Sequence, residues 1–91
     1  MIVRIATEGQ YRMADDQVPR LEELDAALVA AVEAADRERF TRAFGELLEY
    51  VRGGELLDDA HLGASDAILP PPDVSFEAAS GELSGEGLIP D

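Results

Sequence analysis

The sequence contains no cysteine, which excludes disulfides, thiolate metal sites and cysteine nucleophiles together. It contains no lysine either: seven arginines stand against twenty Asp plus Glu, for a net charge of −13. A chain this acidic repels a phosphate backbone instead of releasing its counterions, and anionic lipid repels it in the same way. Neither nucleic acid nor bare anionic membrane is expected as a direct partner. No apolar stretch approaches the roughly 20 residues of a membrane span, and no basic region followed by an apolar run opens the chain, so a cytoplasmic protein without membrane insertion is expected. The charge favours a basic partner surface, although a salt-adapted proteome produces the same bias with no partner.

Catalytic patterns are missing as well. His61 is the sole histidine, and although Asp58, Asp59 and Asp66 stand near it, no helical histidine partner completes a zinc or acid–base constellation. Asp15 and Asp16 lack the alternating acids and trailing Glu of a calcium loop. The glycines at 81, 85 and 87 are followed by no lysine and preceded by no strand, so they make no phosphate loop. Serines 65, 75, 80 and 84 have no histidine base in a recognisable motif. No enzyme, no metal and no cofactor are expected.

What is present is a helical pattern. Leu21, Leu24, Leu28, Ala31, Val32 and Ala35 fall on one stripe within residues 17–35, and Phe40, Ala43, Phe44, Leu47, Leu48 and Val51 repeat it within residues 37–53. Each stripe needs a cover, and the break between them is short, so an antiparallel helical hairpin is expected with Phe40, Phe44 and Leu48 against Leu24 and Leu28. Asp36 is placed to cap the second helix. Gly53 and Gly54 are expected to end it, glycine entering the left-handed C-cap conformation without strain. Pro19 and the acids before it suit the start of the first helix.

Residues 1–13 read as a β-hairpin around Glu8-Gly9, with Val3, Ile5, Tyr11 and Met13 on the buried face and Arg4 and Arg12 on the other. Because an isolated hairpin is marginal in water, it must pack on the helices or gain a strand, and a third strand is expected near 66–69. Residues 55–74 otherwise read as extended and proline-rich, Pro70 to Pro72 being unable to donate ladder hydrogen bonds. Ser75 caps a short helix within 75–84 whose Phe76, Ala79 and Leu83 face inward, and 85–91 form a tail, docked or frayed. The expected fold class is therefore α+β. At 91 residues one domain is expected, burying roughly 60 to 70% of its unfolded surface, with one sheet layer under one helix layer.

Two residues fit the helical core less well. Val29 projects about 80° round the wheel from Leu21, among Glu22, Asp25 and Glu33, and Gly45 sits inside the second helix at about 1 kcal/mol relative to Ala. Either they mark a contact surface, or Val29 touches the C-terminal segment and Gly45 permits close packing.

Several segments together resemble one family: Met1-Ile2-Val3-Arg4-Ile5, the turn Glu8-Gly9-Gln10-Tyr11, the 21–32 helix, the run Ser65-Asp66-Ala67-Ile68-Leu69-Pro70-Pro71-Pro72-Asp73, and the ending Gly85-Glu86-Gly87-Leu88-Ile89-Pro90. In these the chain is similar to the PspAA family, small PspA-associated proteins of actinobacteria and archaea encoded beside the phage-shock protein A homologue. The proline triplet and the ending are the most specific parts; residues 33–64 match in character only. The resemblance implies a non-enzymatic accessory or adaptor that binds the coiled-coil PspA protein in the membrane-stress response, membrane-peripheral at most through that partner. It carries over no catalytic residue, and a homo-oligomer is left open. The partner-binding surface is expected on the first helix at Glu22, Asp25, Val29 and Glu33. The alternative is a small-molecule-binding regulatory domain whose pocket the hairpin and the 65–73 strand would wall.

Overall fold

The computed structural model describes residues 1–57, 65–82 and 87–88. The alternation at the N-terminus becomes an antiparallel pair: β1 (Ile2–Ile5) lies against β2 (Gly9–Arg12), Val3 opposite Tyr11 and Arg4 opposite Gln10. Val3, Ile5 and Met13 are buried, whereas Tyr11 is only half-buried and Arg4 and Arg12 are exposed. The turn places Thr7 at φ 72° and Gly9 at φ 142°, so the positive backbone angles straddle Glu8.

The third strand forms as β4 (Ala67–Leu69), parallel to β1 with Val3 opposite Ala67 and Ile5 opposite Leu69. Ala67 and Leu69 face the core while Ile68 is exposed, and Pro70 ends the strand because it brings no N–H to a ladder. A fourth strand, β3 (Glu55–Leu56), pairs antiparallel with β2, giving the order β3-β2-β1-β4. It lies in the stretch read from sequence as extended. Parallel β1 and β4 require a long crossover, and the helical hairpin lies within it.

α1 (Val18–Glu33) and α2 (Arg37–Arg52) pack on each other more extensively than any other two elements. Leu21, Leu24, Leu28 and Ala31 meet Phe40, Ala43, Phe44, Leu47, Leu48 and Val51 in one buried cluster that also takes in Val3, Ile5, Met13, Ala67 and Leu69. Phe40 stacks on Phe44 with ring centroids 5.6 Å apart and meets the edge of Phe76, on α3 (Phe76–Glu82), at 5.4 Å. The short helix is held twice more. Ser75 Oγ accepts from Ala78 N–H at 3.1 Å, and Arg37, lying 4.9 Å from the Phe76 ring centroid, forms an ion pair with Glu77. The expected inward Leu83 lies outside the described residues.

Asp36 caps α2 as the sequence indicates, its Oδ1 accepting from Arg39 N–H at 3.1 Å. The expected left-handed C-cap at Gly53 is corrected: that residue has φ −76°, in the right-handed region. Glycine is needed instead at the next position for closeness. A Cβ on Gly54 would sit 2.6 Å from Met13 Sδ and 2.8 Å from the Arg12 carbonyl oxygen, so only a bare backbone lets the chain pass from α2 onto the edge of β2.

The left-handed cap occurs at the other helix end, on Ala35, φ 53°. Asp36 N–H donates to Ala31 C=O and Ala35 N–H to Val32 C=O, both at 3.0 Å, the paired bonds that close a helix in a Schellman turn. The left-handed region costs a residue with a Cβ about 1 to 2 kcal/mol, and glycine there returns part of the gain as unfolded-chain entropy of roughly 0.4 to 1 kcal/mol. Ala35→Gly should therefore stabilise the protein by about 0.5 to 1 kcal/mol, raising the thermal midpoint by roughly 2 to 8 °C. A midpoint equal to or below the wild type in calorimetry would contradict the strained cap.

Candidate functional site

The helix layer carries the sequence-predicted surface, and the structure splits it. Glu22 and Glu33 are exposed on α1, eleven residues apart and so on one face. Asp25 does not join them: it is 5% exposed. Its carboxylate accepts the Leu88 N–H at 3.0 and 3.2 Å, and Gly87, at φ +80°, passes so near that a Cβ would sit 2.3 Å from Asp25 Oδ2. Asp25 is thus occupied with the chain's own backbone at Gly87 and Leu88. Val29 is half-buried and packs against the core, as does Leu88, so it contributes a partial apolar surface between Glu22 and Glu33.

On the other flank of α1 an open groove of about 730 Å³ runs between the two helices, lined among others by Arg20 and Leu24 of α1 and by Thr41, Arg42, Gly45, Tyr50 and Arg52 of α2. Most polar groups here are already bonded within the chain. Thr41 Oγ1 donates to Arg37 C=O at 3.0 Å, Tyr50 Oη to Gln17 C=O at 3.0 Å, and Arg20 to Glu23 at 3.1 Å. Arg52 Nε donates to Glu8 Oε1 at 3.0 Å while its Nη2 meets Oε2, and Nη1 reaches Glu49 at 3.1 Å. Arg42 makes no side-chain hydrogen bond or ion pair among the described residues. Gly45 is not a close-packing position, for a Cβ there would meet nothing within 4 Å.

Three further polar candidates are bonded within the chain. Asp66 Oδ2 accepts from Ile2 N–H at 2.7 Å, Ser65 Oγ accepts from Gln10 Nε2 at 2.7 Å, and Ser80 Oγ donates to Phe76 C=O at 2.8 Å. His61, Asp58, Asp59 and Ser84 lie outside the described residues. Among the described residues no three or more His, Cys, Asp or Glu gather as a metal would require, and no helix is long and apolar enough to cross a membrane. The groove lies on the helix pair and not between the hairpin and the 65–73 segment. Its hydroxyls are turned onto backbone carbonyls, so they do not converge on a small ligand.

The family model for PspA-Associated protein (PspAA) matches residues 1–91, the whole chain. No curated protein and no solved structure matches it.

The Arg52–Glu8 pair, which ties the end of α2 to the β1–β2 turn, generates a pH prediction. Hydrogen bonding from the guanidinium, reinforced by its charge, holds the Glu8 carboxyl below the usual carboxylate range, and the Arg52 pKa is raised in return. A carboxyl depressed in the folded state contributes stability above its unfolded pKa and loses it as pH falls through the folded value. Glu8→Gln should lower the thermal midpoint at pH 7, and the gap to wild type should close on acidification below about pH 4. A gap that is constant between pH 7 and pH 3 would show that the ion pair is not its source.

Proposed function

The chain belongs to the PspAA family of PspA-associated proteins, and from that premise we propose that it is a cytoplasmic, non-enzymatic adaptor that binds the PspA-like coiled coil of the membrane-stress response. The observation that carries this reading is the family match along the entire chain. Two features of the fold support it. The polar groups of the helix-layer groove are largely consumed by the chain's own backbone and carboxylates, which disfavours a small-molecule site in that groove. The helix layer offers long, charged, solvent-facing rows of the kind that meet another helix.

In this reading the exposed face of α1 contributes Glu22 and Glu33, with half-buried Val29 as the apolar element between them and Asp25 behind them, bonded to the Leu88 N–H. Glu22 and Glu33 stand about 16 Å apart along the helix axis at 1.5 Å per residue, a spacing that a basic row on a partner helix can match. Charges at such a rim steer association and set its salt dependence more than its final affinity.

Calorimetric titration of the full chain with the purified PspA homologue tests the proposal. Binding should weaken as salt rises, because exposed charges further apart than a Debye length of about 8 to 10 Å are screened. Glu22→Arg combined with Glu33→Arg should weaken it roughly tenfold, about 1.4 kcal/mol, while leaving the fold intact, since both side chains are exposed. A wild-type chain that does not bind removes the adaptor reading, and unaltered binding by a folded double variant moves the contact off this face of α1.

A further inference from the structure

We propose that the seam between α1 and α2, centred on Gly45 and Arg42, seats a helix of the coiled-coil partner that presents an apolar residue flanked by acidic residues. The proposal takes its partner from the adaptor reading and adds a second contact, on the opposite flank of α1 from Glu22 and Glu33.

Gly45 supplies the first observation. An interior helical glycine costs about 1 kcal/mol relative to alanine, and a cost of that kind ordinarily has a packing cause within the fold. Here the space above the Cα is open, with nothing within 4 Å of an added Cβ. The room lies in the groove beside buried Leu24, where an incoming apolar side chain would rest on carbon atoms and on glycine backbone.

Charge supplies the second. In a chain of net charge −13, Arg20, Arg42 and Arg52 line the main groove, and Arg39 and Arg42 line a smaller one of about 140 Å³ that continues along the same seam past Ala27. Four of the seven arginines therefore face one line on the surface, against Glu46 and Glu49. The Arg20 and Arg52 side chains are paired within the chain. Those of Arg39 and Arg42 have no hydrogen bond or ion pair among the described residues, although Glu38 and Glu46 stand one turn either side of Arg42. Two guanidiniums without a partner among the described residues, beside an apolar floor, match carboxylates on a helix whose apolar residue fills that floor. From Arg39 to Arg52 the seam runs about 20 Å at 1.5 Å per residue, the length of three to four helical turns, which suits an extended helix better than a compact anion.

The test uses the full chain, the purified PspA homologue, and the variants Gly45→Gln, Arg42→Glu and Arg42→Lys. Gly45→Gln fills the floor with a better helix former, so its thermal midpoint should equal or exceed that of wild type while its affinity falls at least tenfold. Arg42→Glu should weaken binding by a similar factor, and Arg42→Lys, which keeps the charge, by less. If wild type binds and both Gly45→Gln and Arg42→Glu bind equally well, the seam is not the seat, while the adaptor reading stands. If wild type does not bind, the adaptor reading fails and the partner assigned to the seam fails with it. Light scattering closes the remaining route: a wild-type dimer dissolved by Gly45→Gln and by Arg42→Glu would make a second copy of this chain the occupant and overturn the assignment.

Discussion

Everything in this structure depends on the apolar stripe of α2 being shared by two partners. Phe40, Ala43, Phe44, Leu47, Leu48 and Val51 must cover α1 and the sheet at once, because the chain has material for only one helix layer and one sheet layer. The two ends of the stripe are tied differently. At the start, Phe40 and Arg37 hold α3 through an edge-to-face ring contact, a cation above Phe76 and the Glu77 ion pair. At the finish, Gly54 presses the chain onto β2 and Arg52 grips the β1–β2 turn through Glu8. The sheet is thereby fastened to the helix layer by its core and by its edge.

Much of this arrangement was legible in the sequence, since the helical stripes and the hairpin rest on local periodicity. β4 could be read because a short apolar run is stopped by prolines. β3 could not: both of its residues are exposed, so no alternation announces it, and its pairing follows from the close passage of Gly54 beside Met13. The helix caps show the same limit. Asp36 has a side chain that makes its role visible, whereas the left-handed turn at Ala35 is imposed by reversing the chain between two packed helices, against the residue's own preference.

The candidate surface was legible only as far as a single helix wheel allows. Glu22 and Glu33 are where the wheel puts them. Asp25 sits at the border of the core stripe, and what decides its fate is a contact 63 residues away in sequence with Leu88. The one local sign was Gly87 before Leu88, a glycine where the backbone must come close to another group. The basic seam was still less visible. Arg39, Arg42 and Gly45 recur at helical spacing, yet their meeting with Arg20 and Ala27 depends on the register of the hairpin. Net charge averaged over the chain hides such a gathering of arginines, which here alternate with Glu46 and Glu49 along the same seam.

The central claim is that one core, organised by the α2 stripe, holds sheet and helices as a unit. Chemical denaturation of Phe44→Ala tests it most directly, followed in parallel by far-ultraviolet circular dichroism and by amide exchange in β1. Truncating a buried phenylalanine costs about 3 to 5 kcal/mol, a large share of the roughly 5 to 15 kcal/mol available to a small domain, so both signals should be lost together at a much lower denaturant concentration. An unchanged midpoint, or loss of helix while β1 stays protected, would contradict the shared core.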